Sequence, residues 1–223
     1  LSSNSRNLGM ETSARKHKMK LLRETIRQIL LTEAAKVPTD LPEGYFITMR
    51  TEGSDWARWE IVKGATKYYN TAEHGDKVYG HMDIGKVHKD RYGNCLDAWM
   101  VRMSKASKGF GPMLYDIALE YSTQMGSGLI SDRGGSTPAA KDVWNYYQDN
   151  RTDVEFVQLD NMQDSFNNGP QDDCAQGVSN NNFDEFFGGD QTGFIDSALS
   201  KMYKKSPAST IQELESLGIL IRI

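Results

Sequence analysis

A chain of 223 residues, 38% hydrophobic and 25% charged, has the balance of a globular protein with room for one sizeable domain and some appendages. A formal net charge of −4 argues against a general nucleic-acid-binding surface. No apolar run approaches the roughly 20 residues that span a bilayer, so no membrane segment is expected.

Residues 1–18 are polar and read as a disordered preamble; the opening LSSNSRNLGM lacks the apolar core of a signal peptide. Residues 19–37 hold an amphipathic helix. Leu22, Ile26, Ile29 and Leu30 recur at helical spacing, and Pro38 stops it. YFITMRTEG and ARWEIVKG read as two strands joined by a turn near Gly53. KVYGHMDIGKVH is a further strand, and NCLDAWMVRMSKA a longer one.

A helix is expected from Pro112 through PMLYDIALEYSTQMG, with Gly126 or Gly128 closing it. GLISD is a short strand. STPAAKDVWNYYQDN is a second helix, capped by Ser136 or Thr137. DVEFVQLD completes the strands of a domain set at 42–160. Residues 161–193, rich in Asn, Asp and Gly, read as a long polar loop. In a tail at 194–223, FIDSALSKMYKK is expected to be helical. STIQELESLG offers a second helix, with a capping box from Ser209 and Gln212 or from Thr210 and Glu213. The sum is an α/β (α+β) protein: a mixed, mostly antiparallel sheet with flanking helices.

The most informative stretch is KASKGFGPMLYDIALE, residues 105–120. A strand that passes through Gly109-Phe110-Gly111 into a helix exposes first-turn amides. The helix dipole adds positive character, and glycines let a ligand come close. Such a turn suits a phosphate or pyrophosphate. The plainer alternative is a tight turn and nothing more. The fingerprint GxGxxG is incomplete, and the Walker motif is absent.

The segment from Leu96 to Tyr147 resembles the GCN5-related N-acetyltransferase superfamily. In that family a strand enters a loop of pattern Arg/Gln-x-x-Gly-x-Gly/Ala, which with the next helix holds the pyrophosphate of acyl-coenzyme A. The resemblance covers roughly residues 45–160. It implies an acetyltransferase-like fold, acetyl-CoA as cosubstrate, and direct transfer to an amine acceptor. Met103, Ser104, Lys108, Gly109, Phe110, Gly111 and Met113 would then hold the cofactor, and a backbone amide near Met103 or Ser104 would meet the oxyanion. Ser131, Asp132 and Tyr146 are the candidate acceptor-side and catalytic residues. The strands at 97–104 and 128–132 should splay, leaving a slot above Gly109. Two positions depart from the family pattern: Ala106 stands at the Arg/Gln position and Trp144 at the tyrosine that often serves as general acid. Asp132-Arg133 can equally be a solvated turn before two glycines.

Other groupings carry less chemistry. His74, His81 and His88 fall at odd spacing, which puts successive members on opposite strand faces, so no metal site is expected. His81 can face an acceptor cleft or simply pack. Cys95 and Cys174 sit in no CxxC or Cys/His cluster; they could pair, but reduced thiols in a cytoplasmic compartment are the simpler expectation. The leader MKLLRETIRQILLTEAAK also resembles the capsid-targeting segments of tailed-phage internal proteins. Leu31-Thr32-Glu33 then marks a cleavage point before Ala34, and residues 19–33 would dock on a capsid or scaffold protein. Two rivals to an enzyme follow: a catalytically inactive virion protein that keeps the fold, and a binding module for another phosphorylated ligand.

Overall fold

The computed structural model describes residues 35–64, 78–107, 109–159, 174, 176 and 192–223. The chain divides after Ala35, and everything below concerns the unit Lys36–Ile223. The preamble, the leader helix with Leu31-Thr32-Glu33, His74, Lys108 and most of the polar stretch 161–193 lie outside the described residues.

The described residues form a mixed sheet of eight strands with helices packed on it. Tyr45–Glu52 (β1) and Trp56–Lys63 (β2) make an antiparallel hairpin. Gly53, at φ +58°, takes the turn between them. Val78–Lys86 (β3) and Trp99–Ala106 (β4) extend the meander, with the short helix Lys89–Tyr92 (α1) between them. Gly111–Met125 (α2) leads to Leu129–Ile130 (β5), which pairs parallel to β4. Pro138–Asn150 (α3) follows, then Val154–Gln158 (β6). After the polar stretch come Thr192–Asp196 (α4), Lys201–Lys205 (β7), Ser209–Ser216 (α5) and Leu220–Arg222 (β8). The sheet order is β6-β7-β5-β4-β3-β2-β1-β8. Among the described residues, no helix is long and apolar enough to cross a membrane.

The core follows from strand alternation. Trp59 and Ile61 on β2, and Met82 and Ile84 on β3, are fully buried. Tyr121 of α2 meets Trp59 and Trp99 edge-on, at centroid distances of 5.1 and 5.5 Å. Trp144 of α3 packs on Tyr203 of β7 at 5.0 Å. A separate apolar group gathers Val87, Ala98, Met100, Ile130, Leu159 and Met202 around Cys95 and Cys174.

Four expectations are corrected. FIDSALSKMYKK is helical only to Asp196; a 3-10 turn at Ala198–Ser200 then feeds a strand. Lys201–Lys205 fills the slot between β5 and β6, and two ladders of sheet hydrogen bonds outweigh helix propensity. The long strand expected from Asn94 starts only at Trp99, because Cys95, Leu96 and Asp97 turn with φ of 40°, 53° and 57°. The cysteines are not free thiols: Cys95 and Cys174 form a disulfide. Finally, α5 has no side-chain cap of its own. Its Thr210 and Ile211 amides donate to the Glu120 carboxylate of α2, at 2.9 and 2.8 Å.

Candidate functional site

β4 and β5 pair over two residues only, Trp99↔Leu129 and Met100↔Ile130. β4 then continues to Ala106, while the chain beyond Ile130 turns away at Asp132. The register on the β3 side jumps from Ile84↔Val101 to Asp83↔Met103, so Arg102 is the extra residue of a β-bulge. Its guanidinium donates back to the Lys86 carbonyl at 2.9 Å. The divergence opens a cleft of about 240 Å³.

One wall of the cleft is the free edge of β4, from Val101 to Ser104. The opposite wall is the turn at Asp132 and the first turns of α3, through Ala140 and Trp144. Tyr115 of α2 lines it as well, its ring perpendicular to Trp144 at 5.4 Å. The Tyr115 hydroxyl lies 3.4 Å from Ser104 Oγ. Burial pushes this phenol above its ordinary range, with the Ser104 hydrogen bond opposing, so it stays protonated at neutral pH.

The turn wall is built by its own side chains. Asp132 Oδ1 accepts from the Gly134 and Gly135 amides at 3.0 and 3.1 Å. Ser136 Oγ donates to the Asp132 carbonyl at 2.7 Å. A Cβ on Gly135 would come within 2.7 Å of the Asp132 carboxylate, so a side chain there would have to displace it. Thr137 then caps α3 by accepting from the Ala140 amide at 3.2 Å.

The glycine turn stands at the end of β4. Gly109 has φ +90°, a conformation that disfavours any side chain. Phe110 is buried, and its ring lies 5.2 Å under the Lys36 ammonium. Lys36 also donates its amide to the Gly109 carbonyl at 2.9 Å. Gly111 opens α2 in an ordinary conformation, and a Cβ there would meet nothing within 4 Å. Leu114 makes the first helical bond, to Phe110. Among the described residues, the Gly111 and Met113 amides have no acceptor. Two donors without an acceptor among the described residues, at the start of a 15-residue helix, give that end positive character.

The expected site residues therefore separate. Met103, Ser104 and Asp132 line the cleft, and Gly109, Phe110 and Gly111 form the turn at the head of α2. Met113 is buried and borders a second hollow of about 190 Å³, where Arg151 pairs with Asp116 at 3.0 Å and with Asp153 at 2.7 Å. Ser131 does not line the cleft: it is buried and donates to the Leu199 carbonyl at 3.1 Å. Tyr146 packs edge-on against Tyr147 at 5.9 Å, also away from the cleft. Tyr147 spends its hydroxyl on Asp116, at 2.6 Å. Sequence reasoning missed Tyr115 and Arg102. Tyr115 could have been found, since it lies four residues after Gly111 on the same helix face.

No protein-family model, curated protein or solved structure matches this chain.

Proposed function

We propose that this protein binds an acyl-coenzyme A thioester and transfers the acyl group to an amine. The observation that carries the reading is Gly111. Neither its backbone conformation nor the space around it calls for a glycine, whereas close approach of a ligand to the helix start does. The Gly111 and Met113 amides, the α2 dipole and Lys36 would hold the diphosphate. The unpaired edge of β4 leads from that loop into the cleft, and so offers the pantetheine arm a strand to follow. Bound there, the thioester supplies the activated acyl group. Met103 and Ser104 would orient it, and Tyr115, protonated and lining the cleft, would serve as a side-chain proton donor.

A second reading has its own support: a protein that holds the carrier without turnover, such as an inactive virion component of the same fold. Trp144 stands where the family pattern expects a tyrosine, and Asp132 is committed to its turn. One experiment separates the two. Coenzyme A should raise the melting temperature by several degrees, and Gly111→Asp should remove that shift. No shift in the wild type would overturn both readings. A shift without thiol release from acetyl-CoA across a panel of amines would leave the non-catalytic one.

A further inference from the structure

The cleft beside β4 has two charged residues in its lining, Arg102 on one wall and Asp132 on the other. Both are half-buried, and no hydrogen bond or ion pair joins them. Each is anchored by one part of its side chain and keeps another part open. Asp132 Oδ1 accepts the Gly134 and Gly135 amides, while Oδ2 has no partner among the described residues. Arg102, set out of the strand alternation by its bulge, donates through Nη2 to the Lys86 carbonyl. Its Nε and Nη1 have no acceptor among the described residues. A glycine clears room for each charge. A Cβ on Gly135 would come within 2.7 Å of Asp132 Oδ2; one on Gly85 would come within 3.2 Å of Arg102 Nε and 3.3 Å of the Asp55 carbonyl. Neither glycine is left-handed, so backbone conformation does not account for them.

We infer that this cleft binds a free amino acid, its carboxylate on Arg102 and its ammonium on Asp132. The inference names an acceptor class for the acyltransferase reading above and rests on that reading for the role of acceptor. The two open groups select the ligand by sign. A guanidinium has donors only, and its fork suits the two acceptor oxygens of a carboxylate. An ionised carboxylate oxygen only accepts, and an ammonium brings three donors on one atom. A simple amine would leave Arg102 unmatched. A diamine would bring a second cation toward Arg102, and a dicarboxylate a second anion toward Asp132. A molecule with one charge of each sign answers both walls. Val101, Ala140 and Trp144 leave apolar lining for its side chain. Met103 and Ser104 follow Arg102 on the same wall, so a bound amino acid would lie beside the place given to the thioester.

The test is an NMR titration of the full chain with four probes at matched ionic strength: glycine, 4-aminobutyrate, methylammonium and acetate. The Gly135 amide, which donates to Asp132, and the Met103 methyl group report on the cleft. At least one amino acid should move both signals saturably, at a concentration at least tenfold below that needed for methylammonium or acetate. Asp132→Asn keeps the acceptor oxygen that the turn uses. It should weaken amino-acid binding at least fivefold and leave the acetate response unchanged. Arg102→Met should weaken amino-acid binding similarly and leave the methylammonium response unchanged. If neither amino acid binds better than its half-molecules, or if both variants bind it as the wild type does, the inference is overturned. Should a variant fail to fold, the wild-type comparison decides alone. Coenzyme A is titrated separately and read at the Gly111 amide. A response at Gly111 with no preference for amino acids at Gly135 leaves the acyltransferase reading standing and sinks this one. The converse pattern supports the amino-acid site and sinks the coenzyme reading.

Discussion

Gly109 and Gly111 stand two residues apart in one turn and answer to different constraints. Gly109 is left-handed, so the chain itself requires a glycine there. Gly111 is neither left-handed nor crowded. Gly109→Ala should therefore cost about 1–2 kcal/mol in urea unfolding. Gly111→Asp should leave stability unchanged or raise it by about 0.3–1 kcal/mol, since an acidic residue suits a helix start. Its effect should fall on coenzyme A binding alone. A destabilised Gly111→Asp would show that the position serves packing after all.

The β1–β4 meander, the two helices after β4 and β6 could be read from the sequence, because each carries its own periodicity and turn signals. The misreadings share a cause: the deciding partner is remote. Met202 and Tyr203 pair with β5 and β6, and nothing in KMYKK records that slot. Cys174 meets Cys95 across a separation of 79 residues. The α5 cap comes from Glu120, far upstream, so the local Ser209 and Thr210 signals pointed at the wrong partners. The site was half legible. The glycine turn was legible in the strand-to-helix pattern, and Met103 and Ser104, named through the family resemblance, line the cleft. Ser131 and Tyr146 were assigned by position along an element, and only tertiary packing reveals that they face away from the cleft.

Glu120 and Lys205 are both buried and joined in an ion pair, with Ser209 and Thr210 adding hydroxyl contacts to Lys205. Glu120→Ala should strand a buried ammonium and uncap α5, at a cost of about 3–5 kcal/mol. Glu120→Ala combined with Lys205→Met should recover much of that loss. A double-mutant cycle in urea tests this, and additive losses would contradict it.

Breaking the Cys95–Cys174 link should also cost stability. It ties the 95–97 turn to a distant segment and closes a long loop, so Cys95→Ala with Cys174→Ala should lose about 2–5 kcal/mol. Urea unfolding with and without reductant gives the same comparison in the unmodified chain. An unchanged midpoint would mean that the link adds nothing to the folded state.

His81 predicts a pH dependence with a definite sign. Its folded pKa lies below the unfolded value of 6.5, chiefly through burial. Its contribution to stability is thus full above that value and is lost as the pH falls through the folded one. Glu60 acts oppositely: burial raises its pKa, so its contribution is full below the usual carboxylate range and fades as the pH rises. As the pH falls from 7.5 toward 5.5 the histidine's contribution declines. Urea midpoints should drop over that range in the wild type, and His81→Asn should reduce the drop. Identical slopes in the two proteins would refute the assignment.

The placement of β7 has a consequence for how the protein is made. A segment translated after both β5 and β6 must thread in beside each of them. Until Lys205 has left the ribosome, the nascent sheet carries bare backbone along one flank of β5, a ready template for other chains. Products stalled or cut before Lys201 would keep that flank bare, and with it a tendency to pair with other chains.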